Sequence, residues 1–406
     1  MEEHDVGPAL RRVRALVSEA DRSPMGAMKK IMQENPDIVN MAIGEANFDP
    51  PERLVEIAQG MLADRVDRRS LYTSTRGLPQ MRRAVARFVE RTFAASVDPD
   101  ESVLMTVGGT EALYLAIKVL VAPGEKVLLP DPGWGPCAAM MKRQGAVIHY
   151  YTLGRAQTPV AGRRGSWTVD AEAIVAALDP TFKVLVVNSP SNPTGAMLTA
   201  DGWRRVMEAA KANDVLVISD EVYHTYSYVG DYAGALPLDP SFDNLVVINS
   251  FSKTLAIMGW RLGFAMAHPW LIRQMDVYKE NVSACSPSIA QWAVSEYLDD
   301  SAGYQRWAHS LCRENMEKAV VRLDAIPGVD CPPPQGGFYL FPDFSGVEPD
   351  SAALAERLLR GGVAVAMGDA FGPHGRGCAR LLVSAYWGDV DKALSRIEKA
   401  LTAGPR

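Results

Sequence analysis

The chain has 406 residues, 48% of them apolar and 22% charged, an ordinary globular makeup with core for about two to three domains. A formal net charge of −6 argues against a general binder of nucleic acid or anionic membrane. No apolar run reaches transmembrane length, and the opening MEEHDVGPALRRVRALV lacks the apolar centre of a signal peptide. The five cysteines (137, 285, 312, 331, 378) form no C-x-x-C pair, and the six histidines show no ligand spacing. That pattern predicts free thiols, no metal site and a cytoplasmic address.

Residues 9–20 and 25–34 carry helical periodicity. After residue 100, β-rich runs alternate with amphipathic stretches: VLMTV (103–107), EALYLAIKVLV (111–121), KVLLP (126–130), VIHYY (147–151), KVLVVN (183–188), ADGWRRVMEAAKAN (200–213), VLVISD (215–220), LVVIN (245–249) and LGFAMA (262–267). Strands apolar throughout are covered on both faces. Their alternation with helices predicts an α/β fold: a large three-layer α/β/α domain on a mostly parallel seven-stranded sheet. LGFAMA follows a tight Gly-Trp-Arg turn with no room for a crossover helix, so that strand is expected to run antiparallel. A helical pattern over 289–324 leads to PPPQGG (332–337), then FYLFP, a helix at 352–361, VAVAM, ARLLVSAY and a last helix at 389–402, a smaller α+β domain. The expected division is an N-terminal arm with part of the small domain (1–45), a large domain (46–320) and the small C-terminal domain (321–406).

Ligands of open α/β sheets bind at the carboxyl ends of the strands. Here those ends run into Gly108-Gly109-Thr110-Glu111 at a helix start, into Asp131-Pro132-Gly133-Trp134, into NSPSNPTG (188–195), into Asp220-Glu221-Val222-Tyr223, and into NSFSKTLAIMGWRLGF (249–264). Singly, each has a plain structural reading: a helix cap, a packed tryptophan, a turn aspartate, a solvated lysine. Together they gather an anion cradle, an aromatic ring, an amide, a carboxylate with a phenol, and an amine with a guanidinium. A ligand that needs all of these has a phosphate, a flat ring with a nitrogen and a hydroxyl, and an aldehyde. That is pyridoxal 5′-phosphate, with Lys253 as the amine that condenses with it.

The motifs IGEANFDPP (43–51), YTSTRGLPQMRRAVA (72–86), VGGTEAL, NSPSNPTG, SDEVY, SFSKTLAIMGWRLG, PQGGFYLF and ARLLVS resemble those of the class I/II aminotransferases, fold-type I pyridoxal-phosphate enzymes of the aspartate aminotransferase superfamily. The resemblance runs from about residue 20 to 402 and implies a role for each matching position. Lys253 is similar to the family's aldimine lysine and proton shuttle, Asp220 to the partner of the pyridine nitrogen, and Tyr223 and Asn192 to the donors to the ring oxygen. Trp134 resembles the ring stacked on the pyridine. Gly109, Thr110, Ser250, Ser252 and Arg261 resemble the phosphate cup, and Tyr72 the tyrosine that reaches the neighbouring subunit's phosphate, which implies a homodimer with shared sites. Gly44 and Arg380, with Asn192 beside them, resemble the clamp on the substrate α-carboxylate.

The resemblance therefore implies an aminotransferase acting on a small-molecule L-α-amino acid and a 2-oxo acid, with no nucleic-acid or membrane partner. Elimination, replacement, cyclisation or oxidation on the same scaffold is the alternative, and a non-catalytic regulatory domain a minor one. The chain departs from the common pattern at Ala46, at Ile257-Met258 and at Asp369, which is expected to add a carboxylate near the substrate mouth.

Overall fold

The computed structural model describes residues 24–64, 69–156 and 165–402; the helix expected at 9–20 lies outside them. Seven strands form the central sheet: β1 (Val103–Thr106), β2 (Lys126–Asp131), β3 (Val147–Thr152), β4 (Phe182–Asn188), β5 (Leu216–Asp220), β6 (Leu245–Ser250) and β7 (Gly263–Ala267). Their order is β1-β7-β6-β5-β4-β2-β3. β7 runs antiparallel to both its neighbours, as the short Gly-Trp-Arg connection requires, and the other pairings are parallel.

Alternation along the strands separates two cores. Leu245 and Val247 of β6 pack on one face with Trp203, Phe88 and Val294 from the helices Ala200–Ala212, Pro79–Phe93 and Ser288–Tyr297. Val246 and Ile248 pack on the other with Leu115, Met141 and Ile272. Period-two side chains on a doubly covered sheet produce this division. β3 is the exception to the continuous apolar reading. It is the sheet edge, and Val147, His149, Tyr150 and Thr152 are exposed.

A third core surrounds a three-stranded sheet that includes Tyr339–Leu340 and Ala379–Leu382. The helices Ala302–Asp324, Ser351–Arg360 and Trp387–Thr402 close over it. Val39–Asn40 pairs in parallel with Val363–Ala364, tying the N-terminal stretch to this unit. The helical stretch expected over 289–324 is broken by a 3₁₀ turn at Leu298–Asp300. There Asp299 meets Arg87 at 2.8 Å and Arg91 at 2.7 Å, and the Ser301 hydroxyl donates to the Leu298 carbonyl at 2.6 Å. All five cysteines are free; Cys285 is half-buried and the others are buried. No helix among the described residues is long and apolar enough to cross a membrane.

Candidate active site

The carboxyl ends of the parallel strands open onto one cavity of about 920 Å³. Every site residue named from the sequence lines it except Tyr72, which is 88% exposed. Asp369 is also absent from its wall. The Asp369 carboxylate is exposed, 3.9 Å from Arg376, and its neighbours Ala370 and Phe371 face the cavity instead.

The cup is built where β1 turns into the helix Gly108–Leu120. Gly108 has φ +74°, and a Cβ there would fall on the Arg261 guanidinium, so glycine lets the helix start approach the arginine. Arg261 sits at φ +54° itself. Its guanidinium donates to the Met258 carbonyl at 2.8 Å and the Val107 carbonyl at 3.4 Å. The Ser250 hydroxyl oxygen caps the short helix Phe251–Thr254 by accepting from the Ser252 N–H at 3.2 Å. Helix N–H groups, two hydroxyls and a guanidinium form a donor set suited to a phosphate.

Lys253 donates from Nζ to the Gly44 carbonyl. Burial, then the Arg380 charge, pulls its amine down to about 8, with Glu45 opposing and Arg261 adding. Asp220 ends β5 with its carboxylate buried. Its hydrogen bond comes from the Val222 N–H at 3.4 Å, and it has no ion pair among the described residues. Burial pushes the carboxyl up to about 7. A cation placed against it would restore the charged form, which is what a protonated ring nitrogen supplies. Asn188 shapes the neighbouring turn: its amide donates to the Asp220 carbonyl at 3.0 Å and its oxygen accepts from the Asn192 N–H at 2.7 Å.

Arg380 is buried on the strand Ala379–Leu382. It donates to Asn192 Oδ1 at 2.8 Å and to the Ala42 carbonyl at 2.6 Å, and its Nε–H is buried with no partner among the described residues. The rings of Tyr339 and Phe371 lie 4.2 and 5.0 Å from the guanidinium carbon. The hydroxyls of Tyr223 and Tyr339 are 3.0 Å apart, and Tyr339 occupies the space where Gly44 would carry a Cβ. Tyr339 and Phe371 were not singled out from the sequence. Tyr339 stands inside the quoted PQGGFYLF motif, and Phe371 inside the stretch MGDAFGP (367–373), which was read for Asp369 alone. His224, next to Tyr223, does not line the cavity. It is buried against the Glu221 carbonyl and Asn249, and burial lowers its ring to about 4.

The donor set therefore fits pyridoxal phosphate on three counts: the glycine-built cup, the buried carboxylate without a cation, and an amine beside them. A doubly covered sheet with this set at its strand ends defines a pyridoxal-phosphate-dependent enzyme. The chain belongs to the aminotransferase class I and II family, whose profile matches residues 36–397, and is an aminotransferase. It is 31% identical over 395 residues to the aspartate/prephenate aminotransferase of Thermus thermophilus, spanning 96% of this chain and 98% of that one. It superposes on the Thermus thermophilus aspartate aminotransferase with maleate at TM-score 0.85 and 30% identity, covering 96% and 99% of the two chains. It matches the N-succinyldiaminopimelate aminotransferase of Mycobacterium tuberculosis at TM-score 0.85 and 26% identity, with the same coverage.

Proposed function

We propose that this cavity binds pyridoxal 5′-phosphate and moves an amino group from an L-α-amino acid to a 2-oxo acid. The convergence of Lys253, Asp220, Tyr223, Arg261 and Arg380 on one cavity carries the reading. When bound, the cofactor supplies the carbonyl that takes up the amino group and the ring that accepts electrons from Cα. Arg261, Ser250, Ser252 and the N–H groups of Gly109 and Thr110 hold its phosphate. Asp220 keeps a proton on the ring nitrogen, Tyr223 and Asn192 donate to the ring oxygen, and Trp134 covers one ring face. Arg380 grips the substrate α-carboxylate, with Gly44 and Asn192 at its sides. Its guanidinium lines the cavity, and the rings of Tyr339 and Phe371 fix the guanidinium plane. Lys253, with its amine near neutrality at about 8, can carry a proton to and from substrate Cα.

The exposed Tyr72 supports a homodimer in which it completes the phosphate cup of the neighbouring subunit. The relatives named above are called after aspartate, prephenate and N-succinyldiaminopimelate, so the donor is identified by screening. The test adds single L-amino acids to the loaded enzyme with no oxo acid present. Loss of the cofactor's visible absorption with stoichiometric release of the matching 2-oxo acid is expected; release of any other product overturns the reading.

A further inference from the structure

One hydrogen-bonded pair beside the cavity joins the end of β2 to the 3₁₀ turn Pro373–Gly375 and has no part in the chemistry above. Asp131 is the last residue of β2, and its side chain is 3% exposed. The carboxylate takes two donors from a single residue of that turn. His374 Nδ1 lies 2.6 Å from Oδ2, and the His374 backbone N–H donates to Oδ1 at 3.3 Å. A carboxylate only accepts, so Nδ1 carries the proton. The contact is reinforced on both sides. The Gly133 N–H donates to the Phe371 carbonyl at 2.8 Å. Gly372, at φ +126°, leaves room for the Asp131 carboxylate where any Cβ would collide with it. A Cβ on Gly135 would stand 2.7 Å from the Ala370 carbonyl.

The segment held in this way is the one that carries Phe371. Its ring is one of the two flanking the Arg380 guanidinium, and the other is Tyr339. On the opposite side of the latch, Asp131 precedes Trp134 by three residues, and Trp134 and Phe371 face the same cavity. A buried carboxylate with a directional partner fixes position better than apolar contact, because losing the partner leaves a desolvated charge. Side-chain preorganisation of this kind decides how well an arginine fork meets a carboxylate.

The geometry points to Asp131–His374 as a latch that sets Phe371 against Arg380 and thereby tunes affinity for the substrate carboxylate. His374 is a positioning residue, acting through Phe371. The inference rests on the reading of Arg380 as the carboxylate clamp.

The test uses holoenzyme and two variants, His374→Ala and His374→Asn. The His374 side chain is 55% exposed, so its truncation opens no core cavity. Calorimetric titration with succinate and with 3-phenylpropionate reads carboxylate binding without turnover. Both probes carry the carboxylate, and the far end is a second carboxylate in one and a phenyl ring in the other. The dissociation constant of at least one is expected to rise about tenfold in His374→Ala, as for loss of a charge-assisted hydrogen bond. In His374→Asn, whose amide N–H replaces Nδ1–H, it should return to within about threefold of the parent. Affinity for pyridoxal 5′-phosphate stays within about twofold in both.

Unchanged carboxylate affinity in His374→Ala overturns the latch. So does an equal loss of cofactor affinity, failure of the Asn variant to recover, or absence of binding of both probes to the parent enzyme. Failure of the aminotransferase reading looks different: no donor would release its 2-oxo acid, while the latch effect on carboxylate binding would persist.

Discussion

Replacing Lys253 by methionine isolates what the buried amine does to the fold. Methionine keeps the length of the side chain and removes both charge and donor. Burial first, and Arg380 next, bring the Lys253 amine from 10.5 to about 8. Each unit of such a difference is worth about 1.4 kcal/mol, so the charged amine disfavours the folded state by at most about 3 kcal/mol. Some of this is relieved by cavity water, because the side chain is only partly buried. Below pH 8 the amine is protonated in both states and the whole penalty is present. Between about 8 and 10.5 the unfolded chain keeps a proton that the native state has released, so native stability rises with pH. Methionine escapes the penalty, but it strips the Gly44 carbonyl of its donor, a loss of about 1 kcal/mol. In cofactor-free protein at pH 7, Lys253→Met should therefore be more stable than the parent by up to about 2 kcal/mol. The advantage should shrink at about pH 9.5 and reverse beyond the ordinary lysine range. Urea unfolding of both proteins at the two pH values measures it, and titrations elsewhere in the molecule cancel in the difference. A gap between the variants that is independent of pH would refute the reasoning.

Arg380→Lys keeps the charge but loses the fork that meets a carboxylate in two places. A loss of about 3 kcal/mol in kcat/KM, or about a hundredfold, is expected for amino-acid and oxo-acid substrates; a change below about threefold would show that Arg380 does not hold the substrate. Light scattering under assay conditions should give a dimer. Tyr72→Phe should weaken pyridoxal-phosphate affinity by about five- to tenfold without lowering the melting temperature of the cofactor-free protein. A fully active monomer, or unchanged affinity, would remove Tyr72 from the site.

Much of this protein is legible without coordinates because strand and loop are contiguous in the chain. A strand end and the few residues after it share one position, so SDEVY carries Asp220 and Tyr223 to the rim together, and SFSKTLAIMGWR carries Ser250, Ser252, Lys253 and Arg261. The apolar runs foretold the seven strands, and the Gly-Trp-Arg turn foretold the reversed β7. Tertiary structure alone decided the rest. β3 reads as a core strand, yet it is the exposed edge because no further strand pairs beyond it among the described residues. The helix expected over 289–324 breaks at Leu298–Asp300, where Asp299 meets two arginines more than two hundred residues earlier in the chain. Asp369 is at the rim in sequence but off the cavity wall in space. The pairings of Tyr223 with Tyr339 and Asp131 with His374 join segments more than a hundred residues apart that only the tertiary packing brings together. Local sequence sets which groups a strand end offers; their distances are set by that packing, which depends on the whole chain at once.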